Sequence, residues 1–327
     1  MSYALAASLA TLRQRAAMLA AIRAFFAARG VLEVETPALS RAGVTDPAIE
    51  SVTAAARSLG TVPLYLHTSP EFAMKRLLAA GSGDLYQLCR VFRDDELGRW
   101  HEPEFTLLEW YRIGFDDARL MTEVAELIDA ALGAVAGGGG AAPRRAVRVR
   151  YADALQRAVG VAPDAATAVL AGDLGRRGIE VPPGLAHDAV LDLAFATVVV
   201  ASFDPAALTF VHDYPASQAA LARLKATTPP VAARFEVFAG GVELANGFHE
   251  LLDPVEQRRR FEAERAARVR AGRHAPPLDE QLLAALATGL PDCAGVALGF
   301  DRLVALALGH ENVAAAMSFA HGRPGGG

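Results

Sequence analysis

Apolar residues at Leu9, Leu12, Ala16, Leu19, Ile22 and Phe26 recur every three to four positions. That spacing predicts a helix with one buried stripe, stopped at Gly30. The next stretch, VLEVETPAL, alternates apolar and polar residues like a half-buried strand. It ends at Pro37, which has no N–H to give a neighbouring strand. Residues 50–56 and 62–67 read as two more strands, and FAMKRLLAAG as a helix opened by Pro70 and closed at Gly81. Two runs rich in β-forming residues follow, LYQLCRVF and EFTLLEWY, separated by a charged connection. Two such runs around a polar link predict a hairpin. An amphipathic helix then spans about 117–135.

Residues 136–146, AGGGGAAPRRA, are low-complexity and read as a flexible surface connection. From 147 to about 208 the pattern is of small helices with turns and no chemical constellation. We therefore expect one domain over 1–327 with a helical insertion at about 136–208. LTFVHDYP returns to the core as a strand, and RFEVFAGG and VELANGFHEL form two short strands around a glycine pair. Helices are expected over 254–270 and 279–287. CAGVALGF is an apolar strand of small residues, and DRLVALALG a helix whose amino terminus Asp301 is placed to cap. Strands in runs with helices at the ends, rather than βαβ alternation, predict an antiparallel α+β domain.

Composition narrows the function classes. The 327 residues carry a net charge of −5, with 52% hydrophobic and 21% charged residues. Gripping a long polyanion usually takes a strongly basic domain, so an extensive tRNA or DNA interface is not expected. Cys89 and Cys293, the two cysteines, lie in apolar surroundings and read as reduced core residues, which points to a reducing compartment such as the cytoplasm. The two lysines are Lys75 and Lys225, and Lys75 reads as an ordinary solvated residue on its helix. The most apolar run, 189–203, contains Asp192 and is too short to span a membrane. The acid-free, Ala- and Arg-rich start superficially resembles a transit peptide but runs unbroken into the first helix and strand.

Three groups carry chemistry. Arg93, Arg99 and His101 sit on the hairpin connection, where they are able to grip something anionic and planar; the alternative is a solvated charged tip. Glu236, Glu243 and Glu250 are spaced by seven, but Gly240, Gly241 and Gly247 argue against a helical stripe. A turn at Ala239–Gly240 makes Glu236 and Glu243 cross-strand neighbours. Like charges so placed cost roughly 0.2–1 kcal/mol, which makes sense with a cation between them. Oxygen ligands favour Mg²⁺, which commonly takes one or two carboxylates plus substrate phosphates. Glu250 would face the other way unless a bulge at Gly247 turns it round. The third group is Gly295-Val-Ala-Leu-Gly-Phe-Asp-Arg302, whose small residues permit close ligand approach and whose arginine sits at a helix start.

Together these groups resemble the three signature motifs of class II aminoacyl-tRNA synthetases, over nearly the whole chain. GVLEVETPAL with Pro37 is similar to the dimer-forming first motif, FRDDELGRWHEPEFTLLEWY to the second and GVALGFDRL to the third. TSPEFAMKRLL, PEFTLLEWY and FEVFAGGVELANGFHEL bring the match closest to lysyl-tRNA synthetases. The first-motif helix begins almost at Met1, which leaves no room for the anticodon-reading OB-fold of the bacterial enzymes. A core of this kind resembles the elongation factor P β-lysine ligases, to which QLCRVFRDDELGRWHEPEF, YPASQAALA, GVELANGFHEL and LPDCAGVALGFDRL are similar.

That resemblance implies ATP-dependent activation of (R)-β-lysine or lysine as an adenylate, with Mg²⁺, and transfer to a lysine side chain of elongation factor P. It implies a homodimer and no use of tRNA. Arg93 would hold the α-phosphate and substrate carboxylate, and Arg302 the γ-phosphate. Asp94, Asp95, His101, Glu102, Leu244 and Gly299 would lie around the nucleotide, and Glu236 and Glu243 would hold the metal. Ser69, Pro70, Glu71, Glu109, Tyr111, Asn246, Phe248, Glu250 and Ala297 would form the amino acid pocket. Several carboxylates there suit a diamine, because each ammonium takes charge-assisted hydrogen bonds. Lysyl-tRNA synthetases usually have glycine at Ala297, and one extra methyl in a pocket discriminates by ~1–3 kcal/mol. Asp95 stands where the second motif normally has glutamate, and Glu102 where related sequences often have asparagine. The rival readings are a truncated lysyl-tRNA synthetase charging tRNA, a non-catalytic regulatory paralogue, and a ligase with a small-molecule acceptor.

Overall fold

The computed structural model describes residues 5–135 and 145–321. Most of the glycine-rich connection thus lies outside the described residues. The first stripe forms α1 (Leu9–Ala27), which buries Met18, Ile22, Phe25 and Phe26 and is capped by the Ser8 hydroxyl. In order follow β1 (Leu32–Glu33), β2 (Leu39–Ser40), β3 (Thr53–Ala54), β4 (Leu64–Leu66), α2 (Glu71–Ala79), β5 (Leu85–Phe92), β6 (Glu104–Ile113) and α3 (Asp117–Gly133). The middle of the chain supplies β7 (Arg145–Arg150), α4 (Tyr151–Val159), α5 (Thr167–Arg176), α6 (His187–Ala194) and β8 (Ala207–Pro215). The last third contains β9 (Leu224–Lys225), β10 (Val231–Ala239), β11 (Val242–His249), α7 (Pro254–Arg270), α8 (Glu280–Gly289), β12 (Cys293–Gly299) and α9 (Phe300–Ala307).

The large sheet runs β1-β5-β6-β12-β11-β10-β8-β7, with β9 beside β10. It is antiparallel except where β1 joins β5 and β7 joins β8. One face is apolar. There α1, α3 and α9 cover Leu108, Trp110, Phe235, Val237, Val296 and Leu298, all buried in a single cluster. Phe26 stacks on Tyr86 at 4.3 Å within it. Each such aromatic or aliphatic side chain contributes about 1.5–3 kcal/mol by leaving water. A second cluster joins α4, α5 and α6 to β8 and β10 through Tyr151, Phe195, Tyr214 and Phe238. A third packs α2 against α7 and α8 through Met74, Leu78, Phe261 and Leu282.

Three readings of the pattern need correction. VLEVETPAL is not one strand: Leu32–Glu33 pairs with β5, whereas Leu39–Ser40 pairs with β4 in a separate three-stranded sheet. Val34 still donates to the Tyr86 carbonyl at 2.9 Å, and the chain leaves the large sheet before Pro37, which could not donate. The stretch from 147 is not wholly helical, because Arg145–Arg150 forms a strand parallel to β8; α4 to α6 follow it. Asp301 does not cap α9. The helix starts at Phe300 with Gly299 as its cap, and the buried Asp301 carboxylate accepts the Thr106 N–H at 2.6 Å and pairs with Arg15. Cys293 is buried and Cys89 half-buried, and both are free thiols.

Candidate active site

The polar face of the sheet forms the floor of a cleft of about 980 Å³. Alternation along each strand sends every second residue to this face, and register lines these residues up across strands. Gln87, Glu109, Ala297, Asn246 and Glu236 form one row across β5, β6, β12, β11 and β10. Tyr111, Gly295, Phe248 and Arg234 form the next. The pairing of β10 with β11 shifts between Val237 and Phe238, so Ala245 faces Val237 while Glu243 faces Phe238. Leu244 is the extra residue of that bulge. It turns Glu243 onto the same face as Asn246 and Phe248. The expected bulge therefore exists at Leu244, not Gly247, and it is Glu243 that it brings round. Glu236 lies opposite Asn246 and not Glu243, so the two carboxylates are offset neighbours.

At one end of the cleft three carboxylates converge. Glu109 accepts from the Ser69 hydroxyl at 2.6 Å and the Tyr111 hydroxyl at 2.7 Å. Glu71 and Glu250 each lie 2.6 Å from the Lys75 ammonium. Lys75 is 2% exposed, so it is a buried ion-pair partner and not the solvated residue that the helix pattern suggested. Burial opposes its charge, but Glu250 and Glu71 hold its pKa above the ordinary value. Burial and the nearby Glu71 push Glu109 up to about 8. Burial likewise raises Glu250 to about 7, against the pull of Lys75. One ammonium is too little cation for three carboxylates in a dry pocket.

Gly295 makes this end possible. A Cβ there would stand 2.2 Å from the Tyr111 ring and 2.6 Å from Glu250 Oε1. The space that the small residue leaves is thus filled by the chain's own Tyr111 and Glu250, not kept open for a ligand. Ala297 sits between Glu109 and Asn246 in its row.

At the other end the groups are cationic. Arg302 donates to the Trp100 carbonyl at 2.9 Å and the Glu243 carbonyl at 3.0 Å. Arg93 contacts the Thr68 carbonyl at 3.4 Å, reaches Glu96 at 3.6 Å and lies over the Phe105 ring. His101 lines the same wall, and burial with Arg302 nearby lowers its pKa, so its imidazole is neutral at pH 7. Glu102 is buried and accepts the His321 backbone N–H at 3.0 Å. Burial and Glu236 push Glu243 up to about 7. Among the described residues no side chain donates to its carboxylate. Glu236 pairs with Arg234, which also reaches Asn246 at 3.4 Å. Two carboxylates are a donor set that would suit Mg²⁺ only if substrate phosphates supplied further ligands; the described residues hold no cluster of three or more candidate metal ligands.

Seventeen of the nineteen expected site residues line this cleft: Ser69, Pro70, Glu71, Glu109, Tyr111, Asn246, Phe248, Glu250 and Ala297 at or near the acidic end, and Arg93, His101, Glu102, Glu236, Glu243, Leu244, Gly299 and Arg302 beyond it. Asp94 and Asp95 do not. Asp95 is exposed in the left-handed region at φ 60°, its N–H turned onto the Asp94 carboxylate. The chain turns there and presents Glu96 to the cleft instead. Arg99 also points away, donating to the Glu311 carbonyl at 2.6 Å. Lys75 and Arg234 were missed as site residues. Both carried a signal: Lys75 is one helical turn from Glu71, and Arg234 is one strand period from Glu236.

Comparison with known proteins identifies the family. The family model described as tRNA synthetases class II (D, K and N) matches residues 4–323. The elongation factor P--(R)-β-lysine ligase of Vibrio vulnificus is 47% identical over 94% of both chains. That of Sodalis glossinidius is 46% identical over 96% of both chains. The family model's match to residues 4–323, with the mostly antiparallel sheet beneath the cleft, places this chain in the class II tRNA synthetase family.

Proposed function

We propose that this protein is an ATP-dependent ligase that activates (R)-β-lysine as its adenylate and transfers it to a lysine side chain of elongation factor P. The observation that carries this reading is the acidic end of the cleft, where three carboxylates share one internal ammonium. A substrate with two ammonium groups supplies the missing positive charge. The curated relatives bear the same activity in their names.

In the first step the amino acid carboxylate attacks the α-phosphate of ATP and pyrophosphate leaves. No enzyme nucleophile is needed, because positioning and charge neutralisation carry such chemistry. Arg93 holds the reacting carboxylate and α-phosphate, and Arg302 the distal phosphates. His101 and Glu102 flank the nucleotide base. Glu236 and Glu243 hold Mg²⁺, which neutralises phosphate charge when bound. Glu71, Glu109 and Glu250 take the ammonium groups, Asn246 orients the substrate, and Tyr111 and Phe248 wall the pocket. The Ala297 methyl shortens its floor, which favours one diamine isomer over another. In the second step the acceptor amine, as the free base, attacks the adenylate carbonyl; AMP leaves and an amide forms. The first-motif segment forms a homodimer, the site works in the cytoplasm, and tRNA is not the acceptor.

Intact-mass measurement of elongation factor P after incubation with the protein, ATP, Mg²⁺ and either α- or β-lysine tests the proposal. The expected result is a gain of one lysyl unit, faster with β-lysine. No gain with pyrophosphate exchange intact would return tRNA as the acceptor, and no exchange at all would sink the enzyme reading.

A further inference from the structure

Lys75 has no assigned part in the chemistry above, yet its placement is costly. Its side chain is 2% exposed and its Nζ lies 2.6 Å from both Glu71 Oε1 and Glu250 Oε2. Glu71 opens α2, one turn before Lys75, whereas Glu250 follows the end of β11. The ammonium therefore ties a helix to the sheet across the pocket. Glu109 and Tyr111 face the same group from β6 and Cys293 from β12, and Arg223 lies behind Glu250, donating to its carbonyl at 3.0 Å. A buried ion pair is a poor way to gain stability, since well-packed apolar residues often do as well or better. Fold stability alone does not account for it.

Charge does. Three ionised carboxylates and one ammonium leave two negative charges, which match the two ammonium groups of a diamine whose carboxylate is consumed at the α-phosphate. We propose that Lys75 is a positioning residue for the amino acid: it fixes Glu71 and Glu250 in the empty pocket and, once the three carboxylates are ionised, sets that pocket's charge at minus two. This inference rests on the diamine reading of the site. It adds that the pocket's selectivity depends on a cation which need not touch the substrate.

The test is a double-variant cycle on the full-length protein, read by β-lysine-dependent pyrophosphate exchange. Exchange by the unaltered protein tests the diamine reading itself, independently of Lys75. Lys75→Met keeps the length of the side chain and removes its charge. In that variant we expect KM for β-lysine to rise about 30-fold, as losing one partner of a buried pair implies, with KM for ATP unchanged within about twofold. Removing a neighbouring cation raises carboxyl pKa values by about one unit or more, so the pH at which KM reaches its minimum should rise equally. In a Glu71→Gln background, which restores the charge count, the same substitution should cost less than about threefold. A KM unchanged by Lys75→Met, an equal cost in both backgrounds, or an unmoved pH profile would overturn the proposal. Should Lys75→Met alone fail to fold by thermal melt, the double variant still decides: it must fold and bind β-lysine as well as Glu71→Gln does, and failure of either refutes the charge argument.

Discussion

The two ends of the cleft solve opposite problems in opposite ways. At the acidic end every carboxylate already has a partner from the chain: Ser69 and Tyr111 for Glu109, Lys75 for Glu71 and Glu250. At the cationic end Arg302 rests on two backbone carbonyls, and Arg93 on one long carbonyl contact and a distant glutamate. Carbonyls orient a guanidinium without cancelling its charge. On the proposed function, the first end is thus built rigid around a small substrate that must be distinguished from close relatives. The second keeps the arginines' positive charge available, as the proposed nucleotide polyphosphate would need.

The sharpest way to break this contrast is Arg302→Ala. Removing a group aimed at developing phosphate charge should cut pyrophosphate exchange about 10³-fold, and adding excess β-lysine should not restore it. Next is Gly295→Ala. Its new methyl meets Tyr111 at 2.2 Å and Glu250 at 2.6 Å, and displacing such groups by about an ångström costs about 100-fold. That loss should fall on KM for the amino acid and spare ATP binding in a direct nucleotide titration. pH separates the ends more gently. Glu109 and Glu250 titrate near 8 and 7 in the empty pocket, both above the ordinary carboxyl value. They bind a diammonium substrate only when ionised, so affinity is greatest above pH 8 and falls as pH drops through 8 and 7. From pH 8 to 6 we expect KM for β-lysine to rise about tenfold or more. Arginine stays protonated throughout, but Glu243, pushed up to about 7 at the other end, loses its charge in the same window. KM for ATP at fixed Mg²⁺ should therefore rise by a smaller factor, and extra Mg²⁺ should offset that rise without affecting KM for β-lysine. The smallest effect belongs to Ala297→Gly, which should shift the ratio of exchange rates for β- and α-lysine by about tenfold toward the α isomer.

Much of this was legible in the sequence, and most of the failures share a cause. The hairpin strands appeared where LYQLCRVF and EFTLLEWY predicted, because alternation and β-branched or aromatic residues agree there. α7 formed over the expected residues, with Asp253 accepting two backbone N–H groups and Pro254 needing none. Period and punctuation are local, and local signals survive translation into structure. Most of what failed depended on partners far along the chain. Asp301 reads as a cap until Arg15 and the Thr106 N–H claim its carboxylate. Lys75 reads as solvated until Glu250, 175 residues later, arrives beside it. Asp95, expected at the nucleotide through its resemblance to the second motif, fails for a local reason: a left-handed backbone there gives the cleft to Glu96. Val147-Arg148-Val149-Arg150 does alternate, but the run is short and reads with the helices after it; it becomes a strand by lying along β8.

The bulge at Leu244 has a consequence for how this site tolerates change. A strand carries a one-bit address: each residue is either up or down, and every residue beyond an insertion or deletion changes its bit. The extra residue at Leu244 is such a frameshift, kept permanently. Upstream of it the strand is read in one frame, which delivers Glu243 to the cleft beside Glu236. Downstream it is read in the other, which delivers Asn246 and Phe248 to the same face. Removing one residue there would not trim the site but mistranslate half of it, exchanging a carboxylate for a core side chain in a single step.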